Sequence, residues 1–156
     1  MNSLAVAALV VLAAVAAAAA VLALRRREPA DDEVFPFEQM RPLTEREQVL
    51  YWRLRKVLPD EIVLAQVAVS RILKVRGGHN VRAWMNRVDR MTVDFVVCLP
   101  DSTIVAAVEL DDASHGSPVR IERDDRKNKA LAAAGIKLLR YANVPDEAQL
   151  RKAFLE

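Results

Sequence analysis

Cysteine is almost absent from this chain of 156 residues, and Cys98 alone rules out an intramolecular disulfide and any four-cysteine zinc module. A single thiol in an apolar segment reads as a buried strand residue in a reducing compartment. Net charge is also scarce. The chain carries 23 Lys and Arg against 21 Asp and Glu, and three of the arginines are Arg25, Arg26 and Arg27, leaving 20 basic to 21 acidic residues from Glu28 onward. Bulk charge therefore supplies no attraction to phosphate, so affinity for nucleic acid requires a local patch. No internal repeat is present, which excludes a repeat architecture.

One long apolar run is present. Leu4 to Leu24 holds 21 residues without a charge, eleven of them Ala, and as a helix it reaches across a hydrocarbon core of about 30 Å. No basic segment precedes it and Arg25-Arg26-Arg27 follows at once, which is the flank of an anchor and not of a cleaved signal. The expectation is one N-terminal transmembrane helix over residues 1–27, with the remainder on the cytoplasmic side of the inner membrane. No charge inside the run suggests transport. Residues 28–42 read as a linker, broken by Pro29, Pro36 and Pro42 and kept polar by Asp31-Asp32-Glu33, with Val34, Phe35 and Phe37 free to dock on the domain or at the membrane surface.

The globular region, 43–156, is long enough for one unstapled core. Thr44-Glu45-Arg46-Glu47 forms a capping box, and Leu50, Leu54, Val57 and Leu58 recur at helical spacing until Pro59. A strand is expected from about Ile62 to Val69, with Val63, Ala65, Val67 and Val69 inward and Gln66 outward. A short helix is expected over Ser70 to Val75. Met91 to Cys98 and Thr103 to Leu110 read as a hairpin of central strands joined through Leu99-Pro100-Asp101-Ser102. A helix from Pro118 to Ala134, ended by Gly135, leads to a strand over Ile136 to Tyr141 and a last helix from Asp146.

Two stretches carry chemistry. Val108 to His115 closes an apolar strand with Glu109, Asp111, Asp112 and His115, a packing of acids whose mutual repulsion calls for a cation or for water. A hard divalent ion such as Mg2+ or Mn2+ resolves it, and so does a solvated acidic turn. The second stretch holds Arg71, Lys74, Arg76, Arg82, Arg87 and Arg90 within 20 residues that contain one acid, Asp89, with His79 and Trp84 interleaved and Gly77-Gly78 as a turn. It reads either as a nucleic-acid groove or as a solvated loop with Trp84 in the core.

Asp94 and Glu109 fall on the two arms of the hairpin, where their carboxylates can stand side by side. The order αβββαβ, an acid in the second strand and a Glu-x-acid in the third, resembles the PD-(D/E)xK restriction-endonuclease-like superfamily with its mixed sheet. More narrowly, the chain resembles the family called domain of unknown function 2726 and, through it, the very-short-patch repair endonucleases. The text that carries this is Leu43-Thr44 with Glu47, Gln66-Val67, Asp94-Phe95-Val96, Glu109-Leu110-Asp111-Asp112 with Ser114-His115, Arg123-Asp124, Lys127, Ala134-Gly135-Ile136 and Leu138-Leu139-Arg140.

The resemblance implies Asp94, Glu109 and the backbone carbonyl of Leu110 as ligands of Mg2+ or Mn2+. It implies in-line attack of water on a phosphodiester. Glu47 would match a first-helix glutamate of the superfamily, although its capping role accounts for it and it is left out of the catalytic set. Asp111 stands where the superfamily has lysine, and strand alternation places it on the Glu109 face as a further ligand. Lys127 is the replacement cation, sharing a helix face with Arg120, Arg123 and Asp124, and His115 is the candidate general base or proton donor. Arg123 joins the basic stretch as a nucleic-acid contact. Two function classes stay open: a membrane-tethered, metal-dependent nuclease or phosphodiesterase, and a nuclease-fold module whose chemistry has lapsed and which binds nucleic acid or protein.

Overall fold

A computed structural model describes residues 3–25, 35–111 and 118–156, with side chains of the first helix described at 6 and over 9–22. The chain divides into two compact units, 1–39 and 40–156.

The first unit contains α1, Ser3–Arg25, and the pair Phe35 and Phe37, whose rings stack at 5.9 Å with both side chains exposed. Among the described residues no helix is long and apolar enough to cross a membrane. The structure thus gives a helix where a transmembrane span is expected, and the span itself is not borne out.

The second unit is an α/β fold on a four-stranded mixed sheet. Its elements are α2 (Glu45–Val57), β1 (Ile62–Ala68), α3 (Val69–Ile72), α4 (Val81–Met85), β2 (Thr92–Cys98), β3 (Ile104–Leu110), α5 (Pro118–Ala133), β4 (Leu138–Tyr141) and α6 (Glu147–Leu155). The strands lie in sequence order, β1-β2-β3 antiparallel and β4 parallel to β3 after the α5 crossover. Only a crossover of this kind can return the chain parallel to β3.

Local chemistry sets most boundaries. The Thr44 hydroxyl accepts the Glu47 amide while the Glu47 carboxylate accepts the Thr44 amide, and Asp146 and Gln149 repeat this box at α6. At the end of α5 the Gly135 amide donates to the Ala132 carbonyl and the Ile136 amide to Leu131, with Gly135 at φ +75°. That left-handed residue is what lets the chain reverse into β4.

Two apolar clusters flank the sheet. One joins Leu50, Leu54 and Leu58 of α2 and its C-terminal end to Phe95, Val97, Val108 and Leu150. The other joins Val69, Met91, Val96, Cys98 and Ala107 to Leu131 of α5. Cys98 is buried as expected, and burial pushes its thiol pKa up, which keeps it unreactive.

Three local expectations are corrected. In β1 Ala65 is exposed with Leu64 and Gln66, because β1 is an edge strand and Gln66 adopts φ +51°, which breaks the alternation. The helix expected over Ser70 to Val75 is the four-residue α3. The basic stretch is not one loop, since Asn80 caps α4 by accepting the Ala83 amide at 3.0 Å.

Candidate active site

The register of the sheet draws polar residues of all four strands into one row. Gln66 lies between the rungs Ala65↔Phe95 and Val67↔Val93, and so faces Asp94. The rung after Phe95↔Val108 sets Asp94 opposite Glu109, and Glu109 is itself paired with Arg140. The two central strands carry the acids; the flanking strands carry an amide and a guanidinium.

Glu109 is the buried charged residue of the described chain, only 5% exposed, and both of its oxygens are engaged. Oε1 pairs with the Lys127 ammonium from α5, and Oε2 with Arg140 Nη2 at 2.7 Å. A carboxylate this deep is tolerated because two cations and their hydrogen bonds replace its water. Lys127 is held in turn by the Thr92 carbonyl at 3.4 Å and Asp124 at 3.8 Å. Arg140 reaches further, to Asp111 at 3.0 Å and to the Asn128 side chain at 2.9 Å.

Among the described residues no cation forms an ion pair with Asp94. Its Oδ2 accepts the Leu110 amide at 2.8 Å. Burial raises the pKa of its carboxyl above the ordinary value, the Leu110 hydrogen bond opposes this, the negative charges of Glu47 and Glu109 raise it further, and Lys127 lowers it. Glu47 is thus close enough for its charge to be felt. Its Oε2 completes the helix cap with the Thr44 amide at 2.6 Å, and its Oε1 accepts the Gln66 amide at 2.9 Å.

Asp94, Glu109 and Lys127 therefore come together as the sequence spacing suggests. Asp111 does not join them as a free ligand, because the fork of Arg140 spans it and Glu109, a planar two-point geometry that carboxylates match well. For Leu110 it is the amide, donated to Asp94, that the structure places at the site. His115, with Asp112 and Ser114, lies outside the described residues. Two residues carry more than the sequence reading gives them. Glu47, matched there to a first-helix glutamate but left out of the catalytic set because capping accounts for it, serves the cap with one oxygen and Gln66 with the other. Arg140 stands in the sequence only as part of the family motif, and its parallel pairing with Glu109 makes it the second partner of the buried acid.

Among the described residues no group of three or more His, Cys, Asp or Glu is arranged to hold a metal ion. Mg2+ needs only one or two carboxylates and keeps several waters, so Asp94 and Glu109 supply suitable oxygen chemistry, although both Glu109 oxygens are paired with Lys127 and Arg140 and one would have to exchange its partner for the ion.

Four of the six candidate nucleic-acid contacts line one of two clefts. Arg123 lines a cleft of about 480 Å³ with Lys127, Arg120 and Thr92, and its guanidinium donates to the Arg90 carbonyl. Lys74, Arg76 and Arg87 line a larger one of about 980 Å³ on another side of α5. Arg71 and Arg82 are exposed and line neither. Trp84 is 46% exposed rather than buried in the core. Glu122 with Arg126 at 2.8 Å and Asp125 with Lys129 at 2.6 Å are surface pairs.

A family model described as Protein of unknown function (DUF2726) matches residues 40–156. No curated protein and no solved structure matches the chain.

Proposed function

The chain belongs to the DUF2726 family of proteins of unknown function, and within it we propose that residues 43–156 are a restriction-endonuclease-like domain that hydrolyses phosphodiester bonds in nucleic acid with Mg2+ or Mn2+. The observation that carries this reading is the buried Lys127–Glu109 pair beside Asp94. Acid, acid and lysine are brought from β2, β3 and α5 to one point, which a solvated acidic turn does not require.

Asp94 and Glu109 would hold the ion, which when bound supplies a Lewis acid for the phosphoryl oxygens and for water. Lys127, reaching the same point from the cleft side, stabilises negative charge that grows on the phosphate. Arg123 and Arg120 on the same face of α5 draw the phosphate backbone into the cleft. Gln66 fixes Glu47, whose charge adds to the demand for a cation at Asp94. His115 is proposed as proton donor or base on its sequence position alone.

Attachment to the inner membrane is proposed from the sequence, where 21 apolar residues precede Arg25-Arg26-Arg27. A reporter fused after Glu156 should be active in the cytoplasm and stay with the membrane fraction after a salt wash. Recovery in the soluble fraction would remove the tether.

A second reading keeps the fold and drops the chemistry. Arg140 favours it, since one protein cation already spans Glu109 and Asp111. Calorimetry with Mn2+ and cleavage of a labelled oligonucleotide separate the two. Nuclease function requires millimolar or tighter binding and cleavage, both lost in Asp94→Asn and Glu109→Gln. Wild-type protein that does neither is a binding module.

A further inference from the structure

The larger cleft lies between α4 and α5 and has no part in the acid network. Trp84 and Met85 of α4, Lys74 and Arg76 of the preceding segment, and Ala130 and Ala133 of α5 line its roughly 980 Å³. Its floor is apolar and its edge cationic. Arg126 and Lys129 at that edge are neutralised by Glu122 and Asp125, whereas Lys74 carries no ion pair among the described residues. Residues 71–90 hold six Lys and Arg against Asp89 alone, in a domain that is otherwise neutral. Three of the six, Lys74, Arg76 and Arg87, line this cleft, and their charge favours an anionic occupant.

The aromatic group narrows the occupant further. Trp84 remains 46% exposed on the cleft, leaving part of a large aromatic surface open to a ligand. The Arg87 guanidinium sits 4.2 Å over its ring, and His79 meets it edge-on at 6.2 Å. The ring is thus backed by a cation and held at an angle while offering surface to the cleft. A planar aromatic group bearing phosphate satisfies both the ring and the lysine. In a duplex the base faces are covered by their neighbours, so only an unstacked base can reach an indole on the floor of a cleft.

We propose that this cleft binds single-stranded nucleic acid, with a base stacked on Trp84 and flanking phosphates on Lys74 and Arg76. The cleft's volume falls within the usual range of ligand clefts, about 300–1,000 Å³. A strand seated there has a route to the acidic site. Arg87 and Val88 line the large cleft, Met91 and Thr92 the small one, and between them the Arg90 carbonyl accepts Arg123 of α5. The inference rests on the reading of the domain as one that acts on nucleic acid. It assigns the strandedness of the substrate and the group that recognises it.

The test uses the full chain carrying Trp52→Phe, so that Trp84 is the sole indole, in EDTA so that no cleavage intervenes. Oligo(dT) and oligo(U) 12-mers, a 12-base-pair duplex and inorganic phosphate are titrated while fluorescence is read. Either single strand should quench Trp84 and bind at least tenfold more tightly than the duplex. Adding Trp84→Phe should keep most of the affinity, read by anisotropy of a labelled strand. Trp84→Ala should lose about tenfold or more, the scale of one stacked base. Lys74→Gln should flatten the dependence of log affinity on log salt by about 0.7, one phosphate contact on a single strand. Equal binding of duplex, displacement of the strand by millimolar phosphate, or unchanged affinity in Trp84→Ala would each overturn the proposal. Binding of this kind without any cleavage in Mn2+ would defeat the catalytic reading alone, and cleavage indifferent to Trp84 would defeat this one alone.

Discussion

The ammonium of Lys127 on α5 and the carboxylate of Glu109 on β3 form an ion pair with both side chains largely withdrawn from solvent, 12% and 7% exposed. Eighteen residues separate them in sequence, and the crossover helix brings them together. In the proposed reading Lys127 takes the role that the superfamily gives to a third-strand lysine, while position 111 carries an acid.

If Lys127 acts on the reacting phosphate, Lys127→Ala should lower phosphodiester cleavage by ~10²-fold or more, as expected from losing one group that stabilises transition-state charge. Lys152→Ala, at an exposed position of α6, is the control for a generic loss of positive charge. Breaking a buried pair also costs about 3 kcal/mol, so denaturant unfolding of Lys127→Ala should show a clear loss of stability. Equal, small effects of both substitutions on rate would place Lys127 outside the chemistry.

If the proposed metal ion binds here, Arg140 competes with it for the same acids. Arg140→Gln frees Glu109 Oε2 and Asp111 Oδ1, and the affinity for Mn2+ measured by calorimetry should rise about tenfold, the effect of removing a neighbouring positive charge worth ~1.4 kcal/mol. A fall in affinity would instead make Arg140 the group that positions the acids.

Asp94 gives a pH signature. Its carboxyl pKa is raised in the folded chain above the unfolded value near 3.8, chiefly by burial. The stability it contributes is therefore complete below that unfolded value and is lost as pH rises through the folded pKa. Asp94→Asn should be more stable than wild type at pH 7, and the advantage should shrink toward nothing as denaturation is repeated down to pH 3. An advantage constant with pH would remove burial of the charged form as its cause.

Gly135→Ala tests the turn into β4. Nothing lies within 4 Å of an added Cβ, so the cost comes from φ +75° alone. A loss of about 1 kcal/mol is expected from thermal or denaturant unfolding, with no change in metal affinity. No loss at all would mean that the helix end rearranges freely.

Some of this protein is determined by its sequence alone, because the signals are local. Thr44 with Glu47 and Asp146 with Gln149 mark helix starts, Gly135 marks a helix end, and the apolar runs around Asp94 and Glu109 mark central strands. Each involves groups a few residues apart, whose hydrogen bonds and backbone angles form whatever the rest of the chain does. The helix face shared by Asp124 and Lys127 is legible for the same reason. Tertiary structure alone decided the partners of the acids. Glu109 meets Arg140 only because β4 returns parallel at one particular register, Glu47 acts on Asp94 only because α2 packs beside β1, and Trp84 stays exposed because α4 turns it into a cleft and not toward the sheet. Those outcomes depend on contacts between distant segments, and the charge of an isolated carboxylate carries no record of which distant cation will neutralise it.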